Sequence, residues 1–168
     1  TVLRELRLND QMIKPGDFLS IISGWKSNGV SPTGAQSRAV TDKEHLAASG
    51  YARYQRALKL RGAFDFDDLL ICTETLFRDQ PNIRAIEASR FDHILVDEYQ
   101  DTNASQYQII AYLAEKHQNL CVVGDDDQSI YGWRGAEVKH ILSFKKDWPA
   151  AVVVRLEDNY RSTDAILK

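Results

Sequence analysis

Two acidic runs in this chain each follow a short apolar stretch, and their residue types suit phosphoryl transfer. The first is Ile94-Leu95-Val96-Asp97-Glu98-Tyr99-Gln100-Asp101-Thr102-Asn103. An apolar stretch that ends abruptly in carboxylates is how a buried parallel strand delivers acidic side chains to a nucleotide site at its C-terminal end. Cleaving a phosphoanhydride with water requires Mg²⁺ to be held and a nucleophile to be oriented. Asp97 is the candidate ligand for the ion, usually through its waters, because Mg²⁺ dehydrates reluctantly. Glu98 points elsewhere and can polarise the attacking water. A solvated acidic turn carries the same pair. The apolar strand before it and the capped helix after it bring the two readings level.

The second run is Val122-Val123-Gly124-Asp125-Asp126-Asp127-Gln128-Ser129-Ile130-Tyr131-Gly132-Trp133-Arg134-Gly135. Gln128 is a neutral hydrogen-bonding group able to reach a terminal phosphate without binding the metal. Tyr131 and Trp133 bracket a glycine, and Arg134 follows. Rings on a loop can stack on unpaired bases, at ~1–3 kcal/mol per base; rings tucked into the core are the competing reading. A third stretch, Leu156-Glu157-Asp158-Asn159-Tyr160-Arg161-Ser162, offers an arginine that can neutralise charge developing on a phosphoryl group. Tyr160 can stack on a purine, although an exposed helix start has the same Tyr-Arg pair. Taken together the runs describe a motor that hydrolyses nucleoside triphosphate and handles nucleic acid. The chain has no G-x-x-x-x-G-K loop followed by Ser or Thr, so the phosphate cradle lies outside it.

These residues must be positioned by a βαβ unit. Residues 92–96 and 119–123 read as strands, with a helical pattern at 104–116 between them that Thr102 or Asn103 caps. Ile109, Ile110, Leu113 and Ala114 face inward. A helix at 136–146 precedes a third strand at 152–156. The earlier residues read as helical. Pro15-Gly16-Asp17 is a turn with an N-cap, after which Phe18, Ile21, Ile22 and Trp25 share a face. Asn28 to Gly34 reads as loop. Thr41-Asp42-Lys43-Glu44 matches a capping box that opens a helix to about Leu60. Asp65 caps the next, in which Phe66, Leu69, Leu70, Thr73 and Phe77 share a face.

Composition sets outer limits. The 168 residues suffice for one large domain or two small ones, and the hydrophobic content of 43% is ordinary. No apolar run approaches the ~20 residues that span a bilayer, and no signal-peptide pattern is visible. Residues 1–61 carry 10 basic and 5 acidic side chains, whereas residues 62–168 carry 11 and 19. The basic first third suits a polyanion or a solvated helical surface. Cys72 and Cys121 form no C-x-x-C pair and read as buried reduced thiols, which suits a cytosolic protein. His45, His93, His117 and His140 have no metal-ligand spacing.

The sequences from Val96 to Asn103, from Gly124 to Ala136 and from Asn159 to Ser162 resemble helicase motifs II, III and IV of the UvrD/Rep family in superfamily 1. The segment from Leu60 to Leu70, with Phe64-Asp65-Phe66-Asp67-Asp68-Leu69-Leu70, resembles what that family carries just ahead of motif II. Order and spacing match. The resemblance covers the whole chain, more loosely over residues 1–59. It implies an α/β fold: a helical insertion subdomain followed by a partial parallel RecA-like (P-loop NTPase) sheet with flanking helices. Residues 1–90 would be the helical subdomain called 1B, residues 91–156 the latter part of the first RecA-like domain, and residues 157–168 the start of the second.

By the same resemblance, Asp97 binds Mg²⁺, Glu98 is the catalytic base and Gln128 senses the γ-phosphate of ATP. Tyr131, Trp133 and Arg134 contact single-stranded DNA, Tyr160 packs on adenine and Arg161 contacts phosphate. The implied activity is an ATP-dependent 3′–5′ DNA helicase that works at single-strand/duplex junctions, in the bacterial cytoplasm and nucleoid, with repair or replication proteins as partners and no membrane. The chain begins at Thr1 without methionine and stops within a helical pattern, so a fragment is expected. Lacking the phosphate loop and motifs V and VI, that fragment is expected to turn over no ATP. Competing readings are the motor part of a helicase–nuclease subunit, a non-catalytic DNA-binding scaffold, and a metal-dependent nuclease built on Asp97, Glu98 and Asp125. A nuclease would want a lysine beside the carboxylates, and none adjoins either acidic run.

Overall fold

Proline and small polar residues set most helix starts. In the computed structural model, which describes residues 12–132 and 135–167, helix α1 (Pro15–Ser27) begins at Pro15 itself. The ring fixes φ where no N–H is needed, so Asp17 falls in the first turn and not at the cap. Helix α2 (Pro32–Arg38) occupies part of the expected loop: Ser31 accepts from Gly34 N–H at 3.1 Å, and Pro32 opens the helix. Helix α3 (Asp42–Leu60) has the anticipated capping box. Glu44 N–H donates to Thr41 Oγ1 at 3.3 Å, and Thr41 N–H donates to Glu44 Oε2 at 2.8 Å. Helix α4 (Phe66–Asp79) starts from Asp65, whose carboxylate accepts from Asp68 N–H at 2.8 Å. Helix α5 (Pro81–Ala88) is a further element that begins on a proline.

Helices α1, α2 and α3 pack together around Ile13, Phe18, Ile22, Val30, Ala35, Ala47, Ala48 and Tyr51. Trp25 stacks on Tyr51 at 6.0 Å between ring centres. A buried cation ties these helices to α4. Lys26 donates to Asp65 Oδ2 at 2.6 Å and to Asp68 Oδ1 at 2.7 Å, while Tyr54 and Gln55 of α3 donate to the same two carboxylates. Only one part of the shared face expected for α4 is buried: Phe77 is covered, whereas Phe66 and Leu69 are exposed. Helical spacing gathers residues on one side of a helix but does not supply the neighbour that covers them.

The second half holds strand β1 (Ile94–Val96), helix α6 (Ala104–Ala114) and strand β2 (Leu120–Val122). The strands pair in parallel with Ile94 opposite Leu120 and Val96 opposite Val122. Asn103, not Thr102, caps α6, exchanging hydrogen bonds of 2.9 Å with Gln106. Ala114 is fully buried, and Ile109, Ile110 and Leu113 are half-buried. Helices α4 and α5 both lie against α6, so α4 packs on both halves of the structure.

Three expectations need correction. Residues 136–146 hold two short helices, α7 (Lys139–Leu142) and α8 (Phe144–Asp147), separated by Ser143 at φ −92° and ψ 0°. Residues 152–156 form no strand: among the described residues nothing pairs with them, and Val152, Val154 and Leu156 are largely exposed. An apolar β-branched run has strand character, but a strand exists only where its backbone groups find a neighbour. Cys72 and Cys121 are exposed, Cys121 because its side of the two-stranded sheet is uncovered, as is that of its register partner Leu95. A last helix, α9 (Asp164–Leu167), follows the extended stretch.

Candidate functional site

Strand β1 ends at Val96, and the chain turns sharply at the two carboxylates. Glu98 N–H donates to Asp97 Oδ1 at 2.9 Å. Glu98 itself has φ 50° and ψ 42°, a left-handed conformation that costs a non-glycine residue about 1–2 kcal/mol. Neighbours hold it there. Tyr99 N–H donates to Val123 O at 2.9 Å, Val123 N–H donates to Val96 O at 2.8 Å, and Tyr99 is buried with its ring edge-on to Phe144. Asp97 and Glu98 are both exposed.

The end of β2 is drawn against this turn through Gln100, which is 1% exposed. Its Nε2 donates to Glu98 Oε2 at 2.7 Å, and its Oε1 accepts from Asp125 N–H at 3.1 Å. Asp125 accepts from Asp127 N–H at 3.1 Å on one oxygen and from Gln128 Nε2 at 2.7 Å on the other, capping a short 3-10 turn over Asp126–Gln128. Gly124 makes room for this arrangement: a Cβ there would lie 2.5 Å from Gln100 Oε1 and 2.8 Å from Ile141 Cδ1 and would displace those side-chain ends. A continuous path of hydrogen bonds therefore runs Glu98, Gln100, Asp125, Gln128.

Tyr131 lies further along the same loop, 40% exposed, beside a polar hollow of about 550 Å³. Ser20, Ser23 and Ser27 of α1 line one wall, with Asp67, Asp101 and Asn103 on the others. Gly135, at φ 82°, approaches Ser27 so closely that a Cβ would sit 2.7 Å from the serine Cβ. This hollow and a second one among Arg53, Arg56 and Arg61 are not lined by Asp97, Glu98 or Gln128. Trp133 and Arg134 lie outside the described residues. Tyr160 is 93% exposed and Arg161 is exposed, in a turn where Asn159 Oδ1 accepts from the N–H groups of Arg161 and Ser162, each at 2.9 Å. No hydrogen bond among the described residues links that turn to Asp97, Glu98 or Gln128.

Residues 3–149 match the model of the UvrD/REP helicase N-terminal domain. That match covers most of the chain. The chain belongs to the UvrD/Rep helicase family. It is 46% identical over 166 residues to the ATP-dependent DNA helicase PcrA of Staphylococcus aureus and 45% identical to that of Staphylococcus epidermidis. In each case 99% of the chain is covered, but only 23% of the relative.

Within this UvrD/Rep chain, Gln100 is the residue that sequence reading left without a task. It stood inside the first acidic run, but nothing in the spacing marks a glutamine as buried. Only the parallel pairing of β1 and β2 places its amide between the two loops. His140 is also buried, with Nδ1 3.3 Å from both Thr102 Oγ1 and Thr102 O and its ring stacked on Tyr107. Burial holds its imidazole below the ordinary value of 6.5. No described group of three or more His, Cys, Asp or Glu side chains gathers to bind a metal.

Proposed function

We propose that this chain is the motif II to motif IV portion of an ATP-dependent 3′–5′ DNA helicase, which couples ATP hydrolysis to movement along single-stranded DNA and to strand separation. The observation that carries the reading is the path from Glu98 through Gln100 and Asp125 to Gln128 across two parallel strand ends. Residues 1–90 serve as the 1B-like helical subdomain, residues 91–156 as the latter part of the first RecA-like domain, and residues 157–168 as the start of the second. The protein acts at single-strand/duplex junctions in the bacterial cytoplasm, in replication or repair.

Asp97 fits Mg²⁺. The ion keeps several waters and uses one or two carboxylates together with substrate phosphates, so a single exposed aspartate at a strand end is an adequate protein contribution. The bound ion supplies charge neutralisation on the phosphates. Glu98 takes the proton of the attacking water. The water oxygen bonds to the γ-phosphorus, the bond to the bridging oxygen breaks, and ADP leaves with inorganic phosphate as co-product. Gln128 has one amide N–H on Asp125 and a second for a phosphate oxygen. Arg161 neutralises the phosphoryl group, and Tyr160 packs on the adenine. Tyr131, Trp133 and Arg134 contact DNA bases and backbone.

The isolated chain turns over no ATP, because no phosphate-binding loop is part of it. In the intact protein that carries it, Glu98→Gln lowers DNA-stimulated ATP turnover by roughly 10²–10⁴-fold, the usual size of a general-base contribution. Wild-type turnover by that variant refutes the assignment. Strand cleavage by the intact protein points to a helicase–nuclease, and DNA binding without any turnover points to a scaffold.

A further inference from the structure

We propose that Gln100 is the positioning residue of the hydrolytic centre, and that it makes the orientation of Glu98 depend on the loop carrying Gln128. The inference rests on the reading of Glu98 as the base. Glu98 is a long, exposed side chain on a strained backbone, and left alone it would sample several rotamers. A base is effective only when it holds hydrogen-bond geometry to its water.

One short bond restrains it, the 2.7 Å contact from Gln100 Nε2. The donor is itself fixed. Gln100 is 1% exposed, its Oε1 is occupied by Asp125 N–H, and Gly124 leaves room for the amide where any Cβ would collide. An amide suits this place because one end donates and the other accepts. A shift of the Asp125 loop moves the acceptor side of the amide, and the donor side moves Glu98 with it. Gln128 hangs on the side-chain carboxylate of that same Asp125, so a contact made by Gln128 is transmitted to the base through the Asp125 and Gln100 side chains.

Two variants separate the ends of the amide. Gln100→Glu keeps an oxygen for Asp125 N–H and, when ionised, sets a second carboxylate against Glu98 where the donor stood. Gln100→Met is similar in length and removes both. The measurements are steady-state ATP turnover with single-stranded DNA in the intact protein, hydrogen exchange in the peptide spanning residues 120–128, and thermal melting, with Glu98→Gln as reference. For Gln100→Glu the expected result is a fall in kcat of about ten- to a hundredfold, with KM for ATP within about twofold and exchange unchanged. For Gln100→Met kcat falls similarly and Asp125 N–H exchanges faster. Wild-type kcat in Gln100→Met, which has no donor in any protonation state, overturns the proposal. So does a rise in KM that matches the loss in kcat, or loss of the melting transition in both variants, since either describes a purely structural glutamine. If Glu98→Gln is inactive while both Gln100 variants turn over normally, only this inference fails. If Glu98→Gln turns over normally, the base assignment fails and Gln100 has nothing to position.

Discussion

Lys26 shows how much one side chain can decide. It is 2% exposed, and both of its carboxylate partners come from the start of α4, 39 and 42 residues later. A buried ion pair does little for net stability, yet removing one partner leaves the others uncompensated at about 3–5 kcal/mol. Lys26→Met is therefore expected to lower stability by about that amount, and Lys26→Met combined with Asp65→Asn and Asp68→Asn to recover most of it. Thermal or urea melts of the variants are the check; a single variant as stable as the parent contradicts the account. The same cluster has a visible effect on Asp65. Burial by itself raises a carboxyl pKa, but hydrogen bonds from Lys26, Asp68 N–H and Tyr54 outweigh it and hold Asp65 below its ordinary 3.8. Burial likewise pushes the Tyr54 hydroxyl well up.

Among the elements, legibility follows the locality of the signal. The box at Thr41 and Glu44 and the cap at Asp65 are interactions across three residues, so sequence displays them completely, while at α6 it narrowed the cap to Thr102 or Asn103 and the structure chose Asn103. Thr41→Ala is expected to cost about 1 kcal/mol, measured by chemical denaturation of the chain, with Thr41→Ser close to neutral. Helix α2 carried an equally local sign in Ser31 and Pro32 that a glycine-bearing stretch obscured. Strand character at 152–156 was local as well, but its outcome was not. Three valines state a preference for extended backbone and say nothing about which neighbour accepts it. The break at Ser143 belongs to the same class, since α7 packs on the turn at Tyr99–Asp101, a neighbour distant in sequence.

For the molecule as a whole, stability should follow pH in two stages. His140 has a folded pKa depressed by burial, so the unfolded chain binds the proton more readily. Its contribution is complete above about 6.5 and declines as pH falls below that value. Asp65 is also depressed, so its contribution persists above 3.8 and is lost as pH drops through and below that range. Melting temperature measured across about pH 7 to 5 should fall in the parent and stay nearly level in His140→Gln. An identical slope in the two proteins contradicts the assignment.

The residues themselves determined the βαβ order and where along it the carboxylates fall, because these depend on residue type and short spacing. They also determined the family, through motifs long enough to be specific. Tertiary structure alone decided that Gln100 is buried between two loops, that Lys26 has two acidic partners, and that Tyr160 and Arg161 are exposed with no hydrogen bond to Asp97 or Glu98 among the described residues. Each of those facts depends on which distant backbone comes within about 3 Å, and no spacing along a chain encodes that distance.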